Sequence, residues 1–236
     1  MEIYSFSGSA FSWRALLALE IKHINYSSRV LEISKRENAS PEFRALSPRG
    51  KVPVLKDGDT VISESLAIMT YLDRKFPDPP LFGRSPEEAG LIVKAISEFD
   101  AYTYPLLLRI VFPAFFGKVP EMADDMAAAA KDLRPDLDAI ETSLSERNWL
   151  VGQHISAADL AVYPFIECLL RALGKESAQA LDLGVLPVAE HYPALEAWRA
   201  RITALPGYDS TYPPHWREAD RAAASARRGD VLVDAE

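Results

Sequence analysis

Two pairs of residues, Val52-Pro53 and Glu64-Ser65, have the types and spacing to hold a small peptide-like ligand. Both pairs lie in the segment SPRGKVPVLKDGDTVISESLAIMTYL, residues 47–72. An X-Pro bond can be cis at modest cost, and a cis bond would turn the Val52 N–H and C=O groups outward toward an extended ligand. A helix that begins at Glu64-Ser65 offers free N–H groups to a carboxylate, and the Glu64 side chain can accept from an ammonium. The two pairs therefore favour a ligand that carries both an α-carboxylate and an α-ammonium.

Composition and charge exclude several classes of protein. The chain has 236 residues, 48% hydrophobic and 25% charged, with a net charge of −8 that argues against nucleic acid or an anionic membrane as partner. No apolar run approaches the roughly 18 residues of a membrane span, and no basic segment precedes the first apolar stretch as in a secretory signal. The single cysteine, Cys168, excludes an internal disulfide and a C-x-x-C redox pair. We expect a cytoplasmic protein.

The elements that must position these residues form two groups along the chain. Residues 1–76 predict the order β-α-β-α-β-β-α, with strands at 2–6, 25–30, 52–56 and 60–63 and helices at 12–20, from Ser40-Pro41 onward, and at 64–75. Four prolines and a glycine mark residues 77–86 as a linker.

Residues 87–212 predict an all-helical domain. Helices are expected at 87–116, kinked or broken at Pro105 and Pro113, and then at 122–146, 156–173, 178–183 and 191–204. Ser156 and Asp159 have the spacing of a capping box, which is a structural motif. Residues 213–236 have little apolar periodicity and are expected to form a tail that is partly ordered at best.

The order and spacing of three stretches, SPRGKVPVL, ESLAIMTYL and ISAADLAVYP, resemble those of the cytosolic glutathione S-transferase family over roughly residues 1–210. The start, IYSFSGSAFSWRALLAL, is most similar to the zeta class and its bacterial relatives. The zeta pattern has a Ser-Ser-Cys-Ser-Trp-Arg run, and the matching run here is residues 9–14, SAFSWR, with Phe11 at the cysteine position. The resemblance implies an α+β fold, in which a thioredoxin-like domain is followed by an all-helical one.

The resemblance also implies which residues bind glutathione and activate its thiol. Ser9 would donate to the thiolate, with Ser12 and Tyr4 as alternative donors. The Val52 backbone would pair with the cysteinyl part of glutathione, and Lys51 would lie near the glycyl carboxylate. The complete set of expected glutathione-binding residues is Ser9, Ser12, Asn38, Lys51, Val52, Pro53, Glu64 and Ser65.

A hydrophobic electrophile would be held by the helical domain. The expected residues are Tyr102, Arg109, Phe112, Phe116 and Arg171, with Tyr104 and Phe115 nearby in sequence. An aromatic stripe at helical spacing is also the pattern of an ordinary core. Arg171 matches the arginine that holds a substrate carboxylate in zeta enzymes, but it could equally form a salt bridge with Glu167.

These features predict a glutathione transferase that attacks a small electrophile and assembles as a homodimer, without a metal. Two alternatives remain open on the sequence. One is a glutathione-dependent cis–trans isomerase of a maleyl-type diacid, and the other is a non-catalytic module that binds glutathione or another ligand.

Overall fold

The computed structural model describes residues 1–218, which divide into two compact units. The first unit comprises residues 1–68 and the described residues from 206 onward, and the second comprises residues 69–205. The predicted tail is described as far as residue 218, and residues 219–236 lie outside the described part. Among the described residues, no helix is long and apolar enough to cross a membrane.

The first unit is built on a four-stranded mixed sheet in the order β2-β1-β3-β4. Strand β1 pairs in parallel with β2, whereas β1–β3 and β3–β4 are antiparallel. Burial alternates along β1, where Ile3 lies in the core, whereas the consecutive residues Val54 and Leu55 of β3 are both buried. The strands are β1 (Glu2–Ser5), β2 (Ser27–Val30), β3 (Val54–Asp57) and β4 (Thr60–Ser63).

Three helices complete the predicted β-α-β-α-β-β-α order, which the structure confirms. They are α1 (Ala10–Ile21), α2 (Pro41–Leu46) and α3 (Ser65–Lys75), and a short 3-10 turn, Glu37–Ala39, precedes α2. The expected start of α2 is confirmed, since the Ser40 hydroxyl accepts from the Phe43 N–H at 3.2 Å and Pro41 occupies the first turn.

Helix α1 begins two residues earlier than the sequence predicted, at Ala10 rather than at residue 12. The reason is the cap, because the Ser9 side chain accepts from the Ser12 N–H at 3.2 Å while the Ser9 carbonyl accepts from the Trp13 N–H. The hydroxyl thus satisfies one of the backbone donors that a helix leaves free at its first turn.

The second unit is helical, as predicted, but its first long helix is divided. Helix α4 ends at residue 98, a π-helical segment spans Phe99–Thr103, and α5 follows. Pro105 lies in the first turn of α5, where its missing N–H leaves no helical bond broken, whereas Pro113 lies inside α5. The remaining helices are α4 (Pro86–Glu98), α5 (Tyr104–Phe115), α6 (Val119–Glu146), α7 (Ala157–Leu173), α8 (Glu176–Gln179), α9 (Val188–His191) and α10 (Pro193–Thr203).

The capping box at the start of α7 is confirmed, and its acid has a wider role than the sequence predicted. Asp159 is fully buried and accepts from the Ser156 N–H at 2.9 Å and from the Leu150 N–H at 2.9 Å. It also accepts from the indole Nε1 of Trp198 at 2.8 Å. One carboxylate therefore joins the start of α7 to α10 and to the loop that precedes α7.

Asp159→Ala should destabilise the chain by about 3–5 kcal/mol, because it leaves three N–H donors, two of them buried, without an acceptor. Urea unfolding followed by circular dichroism measures the loss. Ser156→Ala is the matched control: it removes only the capping hydroxyl and should lower the free energy of unfolding by about 1 kcal/mol. Equal losses for the two variants would contradict a central role for Asp159.

Candidate active site

The register of the sheet brings three of the predicted site segments to the same end of neighbouring strands. Tyr4 near the end of β1 lies opposite Val54 at the start of β3, and Val54 lies opposite Ser63 at the end of β4. The chain leaves β1 toward Ser9, enters β3 from Val52-Pro53 and leaves β4 into Glu64. Since neighbouring strands lie about 4.8 Å apart, these segments start side by side at the same end of the strands.

The Val52-Pro53 peptide bond is cis, and the loop that precedes it is held by side chains. The Ser47 hydroxyl accepts from the Lys51 N–H at 3.2 Å and donates to the Lys51 carbonyl at 2.9 Å. The Asn38 amide donates to the Gly50 carbonyl at 3.2 Å. Asn38 therefore helps to fix this loop, a structural role that its predicted contact with glutathione had not included.

Gly50 has no tolerable substitute at this point in the loop. Its φ is +61°, and a Cβ would lie 2.7 Å from the Asn38 carbonyl oxygen and 2.9 Å from the Arg44 guanidinium carbon. The glycine allows this close approach of backbone to backbone. The conformation of the loop that carries Lys51 and Val52 therefore depends on glycine at position 50.

Glu64 adopts an unusual backbone conformation at the start of α3. Its φ is +72°, in the left-handed region that costs a residue with a side chain about 1–3 kcal/mol. Its carbonyl accepts from the Ile68 N–H at 2.9 Å, so it immediately precedes the first turn of the helix. The Glu64 side chain is exposed while Ser65 is buried. Strained residues of this kind cluster at ligand sites.

A cavity of about 360 Å³ lies between these segments in the first unit. Its walls carry two cations, Arg49 and Lys51, and one carboxylate, Glu64, a combination suited to a ligand with charges of both signs. Of the predicted glutathione-binding residues, Lys51, Val52, Pro53 and Glu64 line it. The full lining is Ser47, Pro48, Arg49, Lys51, Val52, Pro53, Ser63 and Glu64. Arg49 was missed in the prediction, although it lies within the SPRGKVPVL stretch that was singled out.

The three candidate hydroxyls differ in what they can offer a ligand. Ser9 is partly exposed and uses a lone pair for its cap, so its O–H stays available to donate. Ser12 is fully buried, and within residues 1–218 its hydroxyl has no hydrogen-bond partner. Tyr4 donates its hydroxyl to Glu2 at 2.8 Å. Of the three hydroxyls, that of Ser9 combines partial exposure with an O–H that its cap does not use.

The predicted electrophile residues of the second unit lie partly on an exposed face. The Tyr102, Phe112 and Phe116 side chains are 70%, 46% and 67% exposed. The rings of Phe112 and Phe116 contact each other, with centroids 4.6 Å apart. Tyr104 instead packs edge-on against Phe165, at 5.0 Å between centroids.

The two predicted arginines have different surroundings. Arg109 donates to Asp125 on α6 at 3.1 Å, and this hydrogen bond holds the pKa of the Asp125 carboxyl below its usual range. A substrate carboxylate would have to compete with Asp125 for Arg109. Arg171 is half-buried on α7, and Glu167, its predicted alternative partner, accepts from Arg199 on α10 at 2.5 Å.

Two other kinds of chemistry have little support among the described residues. Burial raises the pKa of the Cys168 thiol to about 12, so the thiolate that a nucleophile requires is not formed near neutral pH. Within residues 1–218, no group of three or more His, Cys, Asp or Glu side chains could hold a metal ion.

Comparison with known proteins gives matches over most of the chain. The family model for the glutathione S-transferase N-terminal domain matches residues 3–80, and that for the C-terminal domain matches residues 103–206. Glutathione S-transferase F10 of Arabidopsis thaliana is 37% identical over 70% of this chain and 80% of that protein. The crystal structure of a glutathione S-transferase from the Antarctic clam Laternula elliptica superposes with a TM-score of 0.78 at 26% identity, covering 92% of this chain and 94% of that one.

A zeta-class glutathione S-transferase of Euphorbia esula is 24% identical over 95% of each chain. This identity is lower than that to the Arabidopsis protein, although it extends further. The predicted affinity to the zeta class is therefore only weakly supported, and the thioredoxin-like and helical architecture is confirmed by the family models and the clam structure.

Proposed function

This chain belongs to the glutathione S-transferase family and is a glutathione transferase, and on that premise we propose that Ser9 stabilises the glutathione thiolate for attack on a hydrophobic electrophile. The observation that carries this proposal is the position of Ser9 as the cap of α1, with its O–H free to donate at the positive end of a 12-residue helix. The isomerase and the non-catalytic module are not favoured.

The energetics of thiol activation fit such a site. A free thiol has a pKa of about 8.5, and lowering it by about two units requires roughly 2.7 kcal/mol of extra stabilisation of the thiolate. A hydrogen bond from Ser9 to a charged acceptor supplies about 1.5–3 kcal/mol, and the start of α1 supplies up to about 2 kcal/mol when partly buried. The two together reach the required size without a general base.

Glutathione itself would lie across this end of the strands, held by its own peptide backbone and by its charged ends. The Val52 N–H and C=O would pair with the cysteinyl residue as an added strand does. Glu64 would accept from the γ-glutamyl ammonium, and the first N–H groups of α3 would receive the adjacent carboxylate. Arg49 and Lys51 are the cations available to the glycyl carboxylate in the 360 Å³ cavity. With glutathione bound in this direction, its sulfur would point toward the end of β1, from which the chain continues to Ser9.

The electrophile would contact the exposed aromatic face of the second unit. Phe112 and Phe116 offer an apolar surface of two contacting rings, and Tyr102 precedes them along the chain. Arg171, half-buried on α7, is the cation we propose for an acidic substituent. We therefore propose an apolar, aromatic electrophile as the substrate class, with an acidic substituent as the group that Arg171 would bind.

Ser9→Ala should lower kcat by about 10- to 150-fold and raise the pKa of the bound thiol by about 1–2 units, the loss expected for one charge-assisted hydrogen bond. Absorption of the bound thiolate against pH measures that pKa. Ser9→Gly should show the same loss with a smaller change in stability, since glycine replaces a capping residue at a cost of only a few tenths of a kcal/mol.

The matched control for loss of a cap is Ser40→Ala, at the start of α2. It should lower the free energy of unfolding by about 1 kcal/mol and leave the pKa of the thiol unchanged. A thiol pKa in Ser9→Gly equal to that of the wild type would reject Ser9 as the donor.

Glu64→Gln should raise KM for glutathione about tenfold with little change in kcat, since it removes one charge from the acceptor of the γ-glutamyl ammonium, worth about 1.4 kcal/mol. Initial rates across glutathione concentrations measure the split. Glu42→Gln, which removes an exposed carboxylate from the first turn of α2, should leave KM unchanged. A shift of the same size in both variants would point to a general loss of negative charge.

We propose that the protein assembles as a two-fold symmetric homodimer. Two large apolar side chains on α4, Leu91 and Val93, are 54% and 43% exposed in the single chain. Because positions two apart lie on different faces of a helix, each marks a separate candidate face for the partner. Light scattering after size exclusion should give the mass of two chains. Replacement of both residues by lysine should give the mass of one.

A further inference from the structure

The segment that follows the second unit returns to the first unit and packs on α1. The Trp13 ring lies 5.7 Å from the rings of both Tyr212 and Trp216, and its indole N–H donates to the Thr211 hydroxyl at 2.8 Å in a buried hydrogen bond. Trp216 is buried although it belongs to the residues expected to form a tail. The described residues from 206 onward, which we call the returning segment, are therefore a packed part of the first unit.

The returning segment contacts the loop that carries Ser9. The Ser7 hydroxyl and His215 Nδ1 are 2.8 Å apart and form a hydrogen bond. A Cβ at Gly8 would lie 3.0 Å from His215 Cε1 and 3.4 Å from the Trp216 indole nitrogen. The imidazole thus contacts the two residues that immediately precede Ser9.

We propose that His215 is a positioning residue for thiol activation, and that it fixes the loop 6–9 so that the Ser9 hydroxyl points at the bound sulfur. The proposal rests on the assignment of Ser9 as the thiolate donor. The loop has only four residues between β1 and α1, and one backbone hydrogen bond closes it, from the Ser9 N–H to the Phe6 carbonyl at 3.2 Å.

The exposure of the Ser7–His215 pair separates positioning from general stability. Both residues are exposed, and an exposed hydrogen bond contributes little to the free energy of unfolding because water replaces it when it breaks. A donor displaced by about 1 Å, in contrast, can lower the rate by up to about 100-fold. The pair can therefore matter to the orientation of Ser9 while hardly affecting the fold.

Gly8 makes the contact with His215 a close one. Its φ is +81°, a conformation that favours glycine, and the backbone there passes directly against the imidazole. Movement of the loop toward the returning segment is blocked by the ring, and movement away from it breaks the Ser7 hydrogen bond.

His215→Ala should lower kcat about 5- to 10-fold and raise the pKa of the bound thiol, while KM for glutathione and the urea midpoint change little. His215→Asn should recover most of the kcat that His215→Ala loses, because the asparagine amide can donate or accept near the position of the imidazole Nδ1. Ser7→Ala should reproduce the effect of His215→Ala, and the double variant should add nothing further, as expected of two residues that act through one bond.

Asp209→Asn is the control within the returning segment, since it weakens the exposed Asp209–Arg217 ion pair without touching the loop. It should leave kcat and the thiol pKa unchanged. Wild-type kcat and thiol pKa in His215→Ala would overturn the proposal, and so would an Asn variant no more active than the Ala variant. Ser9→Gly measured in parallel separates the two levels: if Ser9→Gly keeps the wild-type pKa, the donor assignment fails, and if only His215→Ala keeps it, the positioning role alone fails.

Discussion

Pairing of β3 with both β1 and β4 is the constraint on which the rest of the site depends. Each side of the candidate glutathione cavity is a chain segment that enters or leaves one of these strands, so the ladder sets their separation. The register is strongly specified, because Ile3 and Leu55 face each other in the core and are almost fully buried. A slip of one residue would turn such side chains outward, at about 2 kcal/mol for each.

The strands position two helix starts and one residue with a strained backbone at the same end of the sheet. The start of α1 and the Ser9 hydroxyl both favour negative charge at one end, and the start of α3 favours it at the other. Glu64 has a left-handed backbone conformation, and the buried Ser65 and the first turn of α3 follow it directly. Donors and dipoles that are already oriented in this way limit the reorganisation that an anion at this position would require.

The order of the elements could be predicted from the sequence wherever a local signal was strong. Ser40-Pro41, the turn between β3 and β4, and the Ser156–Asp159 box each combine a specific residue type with a specific place in the chain, and each appears where it was expected. The start of α1 was misplaced because Ser5, Ser7, Ser9 and Ser12 are all possible caps. The π-helical segment before α5 carries no such signal, and the role of Trp198 toward Asp159 depends on a contact across 39 residues.

The sequence by itself determined the family and the two kinds of domain, because local capping, turn and spacing patterns are read directly from neighbouring residues. Only the tertiary structure decided that Ser9 is partly exposed whereas Ser12 is buried, that Arg49 joins Lys51 in the cavity wall, and that Asn38 holds the Gly50 loop. It also decided that residues 206–218 pack on α1 and that His215 contacts the Ser9 loop. These are contacts between residues distant in the chain, and no periodicity along the sequence encodes them.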